Sequence, residues 1–109
     1  MRWQKLLERY SLTKRPTLRV VSPRVGTSVI PLEKNDSRIF FQYLTNKIHS
    51  LHFKGSEKQL VSMIQKMQAE EGFTIEKMRT SPGRKKEKMV LLHLKFQDNL
   101  ELRRIIKMG

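Results

Sequence analysis

Between residues 57 and 96 the hydrophobic positions change period. Leu60, Val61, Ile64 and Met67 recur at helical spacing. Ser56 stands where an N-cap belongs, with Gln59 three residues on, and Gly72 supplies a stop because it takes positive φ without a Cβ clash. This predicts a helix over 57–71. Beyond it the period drops to two. Val90, Leu92, Leu94 and Phe96 alternate with Leu91, His93 and Lys95, and "FTIEKMRT" has strand propensity. Strands are expected over 73–79 and 88–96, forming a hairpin across "SPGRKKE", where Pro82 and Gly83 signal the turn.

The rest of the chain reads less sharply. Trp3, Leu6, Leu7 and Tyr10 line one side of a short N-terminal helix over 3–10, which is too short to stand alone in water and must dock on something apolar. Pro16, Pro23 and Pro31 exclude a long helix from the next stretch. Its β-branched content predicts short strands over 18–21 and 27–30 with "SPRVG" as the bend, the alternative being a partly extended basic arm over 11–36. In 37–54, Asp36 or Ser37 can cap a helix over 38–46 that places Ile39, Phe40, Tyr43 and Leu44 on one face. A strand over 48–53 follows, and two strands around Thr45 and Asn46 are the competing reading. The tail "QDNLELRRIIKMG" is read as a helix over 99–107, with Asp98 as cap, Glu101 at N3 and Leu102, Ile105 and Ile106 as its apolar edge. A third strand after a turn at Asp98 and Asn99 is the alternative. The expected fold is α+β: one small domain over 1–109 with a mostly antiparallel sheet covered by helix 57–71 and a short N-terminal helix.

Charge changes this picture more than composition does. The 109 residues carry a formal net charge of +13, a field that raises the encounter rate with any polyanion. Arg2, Lys5, Arg9, Lys14, Arg15, Arg19 and Arg24 stand against Glu8 alone, and Arg79, Arg84, Lys85, Lys86, Lys88 and Lys95 against Glu87 alone, so two segments hold most of the excess. With no cysteine, disulfides, thiolate catalysis and cysteine-based metal sites are excluded. No segment approaches the roughly 18 apolar residues of a membrane span. The N-terminus lacks the apolar core of a secretory signal, though its Arg and Ser content leaves an organellar transit peptide open. Cytoplasm or nucleus is the expected compartment.

Little here suggests catalysis. The acids are interleaved with bases, as in "LEKND" and "TIEKM", and no phosphate-binding Gly-rich loop is present. His49, His52 and His93 are the best enzymatic candidates, since imidazoles titrate near neutrality and can act as acid and base on RNA, but they form no recognisable metal or catalytic spacing. No metal and no cofactor is expected. The basic residues carry a firmer expectation. Lys14, Arg15, Arg19 and Arg24 in the Pro-rich segment, and Arg84, Lys85, Lys86 and Lys88 at the hairpin tip, can stay solvated and contact phosphates. The RNP aromatic pattern, the GXXG loop and zinc-finger spacing are absent. The sequence therefore predicts a non-enzymatic nucleic-acid-binding or regulatory protein, with DNA or RNA as partner. The alternatives are a small interaction factor or inhibitor docking on an acidic protein surface, and a histidine-based ribonuclease. A homodimer is also expected, with the apolar edges of 3–10 and 99–107 as its contacts.

Overall fold

In the computed structural model, residues 15–32, 37–83 and 87–109 are described. The predicted helix over 3–10 lies outside them, as do Lys14, Arg84, Lys85 and Lys86. The chain runs β1 (Thr17–Ser22), β2 (Gly26–Pro31), α1 (Ser37–Thr45), β3 (Ser50–Lys54), α2 (Glu57–Glu71), β4 (Thr74–Pro82), β5 (Lys88–Lys95) and β6 (Glu101–Met108). The strands form one sheet in the order β2-β1-β3-β6-β5-β4. Every neighbouring pair is antiparallel except β3 with β6. The architecture is α+β, a mixed and mostly antiparallel sheet with two helices.

Period-two alternation sorts each strand into two faces. Leu18 and Val20 of β1, Leu51 and Phe53 of β3, Val90, Leu92 and Leu94 of β5, and Leu102, Ile106 and Met108 of β6 are buried. They meet Phe40 and Leu44 of α1 and Leu60, Ile64 and Met67 of α2. Both helices therefore lie on the same side of the sheet. Phe40 stacks on Phe53 at 5.9 Å between ring centroids and Phe41 on Phe73 at 5.8 Å. Phe41 thus takes the core contact that the helical pattern assigned to Ile39, which is 37% exposed. Helix α2 starts and stops where its sequence signals stand. Ser56 Oγ accepts from the Gln59 N–H at 3.1 Å, Gln59 Oε1 accepts from the Ser56 N–H at 2.9 Å, and Gly72 ends the helix at φ 74°.

The tail corrects the helix expected over 99–107. Its residues are strong helix formers, and the spacing of Leu102, Ile105 and Ile106 suits a helix, yet the segment is strand β6. Asp98 does cap, but it caps a turn: its Oδ1 accepts from the Leu100 N–H at 3.3 Å while Asn99 takes φ 66°. The Phe96 N–H donates to Leu100 O at 2.8 Å and closes the β5–β6 hairpin. β6 pairs along its whole length with β5 and over Ile106–Met108 with β3, and this tertiary pairing overrides local propensity. Leu102 and Ile106 are then core residues, so the apolar edge offered for dimerisation at 99–107 does not exist in that form. Residues 17–31 form the short-stranded hairpin that their β-branched content suggested.

Candidate functional site

The face of the sheet away from the helices is where the cations gather. Arg19 on β1, Lys54 on β3, Lys77 and Arg79 on β4, Lys95 on β5, and Arg103 and Lys107 on β6 occupy the strand positions opposite to the buried ones, and all seven are exposed. Glu101 is the single acid in that register, and its Oε1 lies 3.3 Å from His93 Nε2. Glu76 falls in the bulge between Ile75 and Lys77, outside the register. Between the cations stand apolar side chains, among them Leu91, Ile105 and Val29, the last two 53% and 63% exposed. The register sets the cations in rows. Arg19, His52 and Lys107 are cross-strand neighbours; next come Ile105, Leu91 and Arg79, then Arg103, His93 and Lys77. From Arg19 to Lys77 the face spans roughly 23 Å by strand spacing and rise.

At one end of the sheet this face sinks into a pocket of about 1010 Å³. Arg15, Thr17, Arg19, Val29, His52, Lys54, Gly55, Ser56, Gln59 and Gly109 line it. Strands β3 and β6 finish here while β1 begins, so Thr17 pairs with both Pro31 and Lys54, and Phe53 with Met108. Gly55 lets the chain pass tightly. A Cβ there would meet Phe53 and Gln59 at 2.9 Å and Pro16 at 3.1 Å. Gly109 backs directly onto the His52 ring. Burial is the main reason that His52 titrates below its usual value. Arg19, Lys107 and Lys54 add to that effect, and Glu87 opposes it.

The residues singled out from the sequence are dispersed in an informative way. Arg15 and Arg19 come together at the pocket. Arg24 stands exposed in the β1–β2 turn at the far end of the sheet, a six-residue strand away. Lys88 pairs in register with buried Met108, so it faces the helical layer, where its Nζ lies 3.5 Å from Glu57 Oε1. The tip closes as expected: the Gly83 N–H donates to Glu87 O at 2.7 Å, at the same end of the sheet as the pocket. Sequence reasoning missed His52, Lys54, Lys77, Arg103 and Lys107 as members of a common face. For the β6 pair the signal was hidden by the helical reading of the tail. For Lys77 it was hidden by the bulge, which breaks the alternation of β4.

The histidines do not converge. His52 and His93 share the open face but stand roughly 16 Å apart by strand spacing and rise. His49 packs edge-on against Tyr43 at 5.4 Å, while its backbone carbonyl accepts from Arg104 at 2.6 Å. No group of three or more metal-ligating side chains occurs among the described residues. None of the described helices is long and apolar enough to cross a membrane. The chain matches no protein-family model, and no curated protein and no solved structure matches it significantly.

Proposed function

We propose that the protein is a non-enzymatic nucleic-acid-binding protein that holds the phosphate backbone against the open face of its sheet. The observation that carries this reading is the partition of charge between the two sides of the molecule. Among the described residues the strands of the open face set seven cations against Glu101, with Glu87 near His52 as a second acid. The two helices carry Arg38, Lys58 and Lys66 against Glu57, Glu70 and Glu71, and the covered side of the sheet adds only Lys88, beside Glu57, and Arg104, whose guanidinium donates to His49 O. A merely soluble basic protein has no reason to segregate its charge in this way, whereas a polyanion-binding face needs it.

A duplex suits this face better than an unpaired strand. Binding to single strands uses aromatic rings as stacking platforms. Among the described residues every Phe and Tyr is buried or packed against the core: Phe40, Phe53 and Phe73 fully, Phe41, Tyr43 and Phe96 in part. The roughly 23 Å between Arg19 and Lys77 is about two-thirds of a duplex turn, enough to reach several phosphates. Phosphate contacts position a protein without reading sequence, so weak sequence preference is expected.

The test is affinity for duplex DNA, duplex RNA and single strands of each across a salt series. Neutralised phosphates release counterions, so log K should fall linearly with log salt, with a slope near −0.9 per contact on duplex DNA. Absence of binding to all four at low salt would overturn the reading and favour an acidic protein surface as the partner.

A further inference from the structure

The pocket differs from the rest of the open face in shape and in charge density. It is concave, whereas a duplex lying across a sheet touches it along ridges. At about 1010 Å³ it reaches the top of the range of roughly 300–1,000 Å³ usual for small-ligand sites. Arg15, Arg19 and Lys54 line it, and none of the described lining residues is acidic. The wall from α2 is made by Ser56 and Gln59, whose side chains form the capping box of that helix. Recognition rests on side chains from β1, β3 and the segment before β1. Thr17 and Val29 complete the lining with less polar surface.

Arg19 and Lys54 together already exceed what one backbone phosphodiester needs. A phosphodiester carries one negative charge, while a phosphate monoester carries about −1.5 to −2 at neutral pH and presents three acceptor oxygens. A monoester also projects from the end of its molecule and can enter a concavity that a continuous backbone only bridges. We infer that this pocket is a phosphate-monoester site of nucleotide size, filled either by the terminal phosphate of a strand lying on the open face or by a free phosphorylated small molecule. The strand-end source rests on the proposed function; the free-ligand source does not. His52 supplies an internal reporter. It forms part of the lining and is held below its usual pKa by burial and by Arg19, Lys107 and Lys54, against Glu87. A bound dianion adds negative charge to that set, so its ring signals and its titration should move upward on binding.

The experiment uses the full chain and two sets of probes. Short duplexes of one sequence with phosphate or hydroxyl termini are compared by fluorescence anisotropy. A mononucleotide and its unphosphorylated nucleoside are titrated while the His52 ring is followed by NMR. Phosphate-ended duplex should bind about tenfold more tightly than hydroxyl-ended duplex, and the mononucleotide, unlike the nucleoside, should shift His52. The substitutions Arg19→Gln and Lys54→Gln together should bring the two duplexes to equal affinity with unchanged melting temperature. Lys77→Gln with Arg79→Gln, remote from the pocket, should weaken both duplexes alike and keep the preference. Lys54→Gln alone is the milder variant if the pair melts early. Equal duplex affinities with a mononucleotide that still shifts His52 leave the pocket standing, with a free ligand as its source. Equal affinities and no His52 shift overturn the inference while the duplex-binding reading survives. Binding of mononucleotide but of no duplex overturns the proposed function and supports the pocket.

Discussion

The two faces of one sheet have opposite chemistries, and they are made from the same strands. In β5 the inward residues Val90, Leu92 and Leu94 are buried under the helices, while Leu91, His93 and Lys95 between them point the other way. In β6 the alternation sets Leu102, Ile106 and Met108 against Arg103, Ile105 and Lys107. The covered face excludes water and so selects for volume and shape. The open face is free to carry charge that the core could not bury. Stability and binding should therefore be separable by face, and a substitution's effect should depend on which way its strand position points.

The largest difference is expected from apolar residues on the two sides. Phe53 is fully buried and stacks on Phe40, so Phe53→Ala removes a packed ring and leaves a cavity, at a cost of roughly 3–5 kcal/mol. Ile105 is half exposed on the open face, and Ile105→Ser should stay within about 1 kcal/mol of the parent by urea unfolding. Similar costs for the two would break the division between faces.

Charge should reverse the order. Replacing Lys77, Arg79 and Arg103 together with Gln should leave the melting temperature nearly unchanged, since exposed substitutions usually cost within about 0.5 kcal/mol each. Duplex affinity should fall, and the salt slope should become shallower by about one unit per lost contact. The matched control removes the helical cations Arg38, Lys58 and Lys66, and its salt slope should stay as it was. A control that weakens binding as much as the face variant would mean that only net charge matters.

Arg104 is the exception among the β6 cations, because it lies on the covered side of the strand, between Leu102 and Ile106. Its Nη2 donates to His49 O at 2.6 Å and its Nη1 approaches Lys47 O at 3.5 Å, tying the α1–β3 connection to the sheet. Burial lowers its pKa. Arg104→Met keeps much of the volume and loses the charged hydrogen bonds, for which roughly 1.5–3 kcal/mol is the usual scale. Duplex affinity should not change. Loss of affinity at constant stability would move Arg104 to the binding side of the account.

Legibility followed how local each signal was. Helix α2 is specified within its own residues, by Ser56, Gln59 and Gly72, and its bounds agree with the sequence reading over 57–71. The hairpin β4–β5 was visible from alternation and from Pro82 and Gly83, although β4 runs on to Pro82 itself. Strand β6 was readable only as the alternative to a helix, because part of what makes it a strand is non-local. Its partners β3 and β5 supply the hydrogen bonds, and β3 lies about fifty residues away in the chain. The candidate site suffered for the same reason. Charge runs drew attention to Arg15 and Arg19, which do line the pocket, and to Lys88, which turns to Glu57. The interface depends on single cations at alternate positions of separate strands, which form a cluster only once the strand order is known.

The smallest expected effect is a pH dependence centred on His52, and its two halves have opposite signs. The groups that act on the ring are Arg19 on β1, Lys54 on its own strand, Lys107 on β6 and Glu87 beside β5, with Gly109 packed against it. Burial and the three cations lower its folded-state pKa from the usual 6.5, so the unfolded chain binds the proton more readily. His52 therefore contributes stability above pH 6.5 that is lost as pH falls through the depressed folded value. His52→Gln should flatten that part of the stability curve, measured by urea unfolding at a series of pH values. A phosphate bound nearby supplies negative charge and draws the pKa up again, so binding and protonation favour each other. Duplex affinity should then rise modestly as pH falls below about 6.5, over the range in which the free protein loses stability, and the rise should shrink in His52→Gln. If affinity and stability instead fell together on acidification, the phosphate would not be near His52, and binding would be confined to the rows around Lys77 and Arg103.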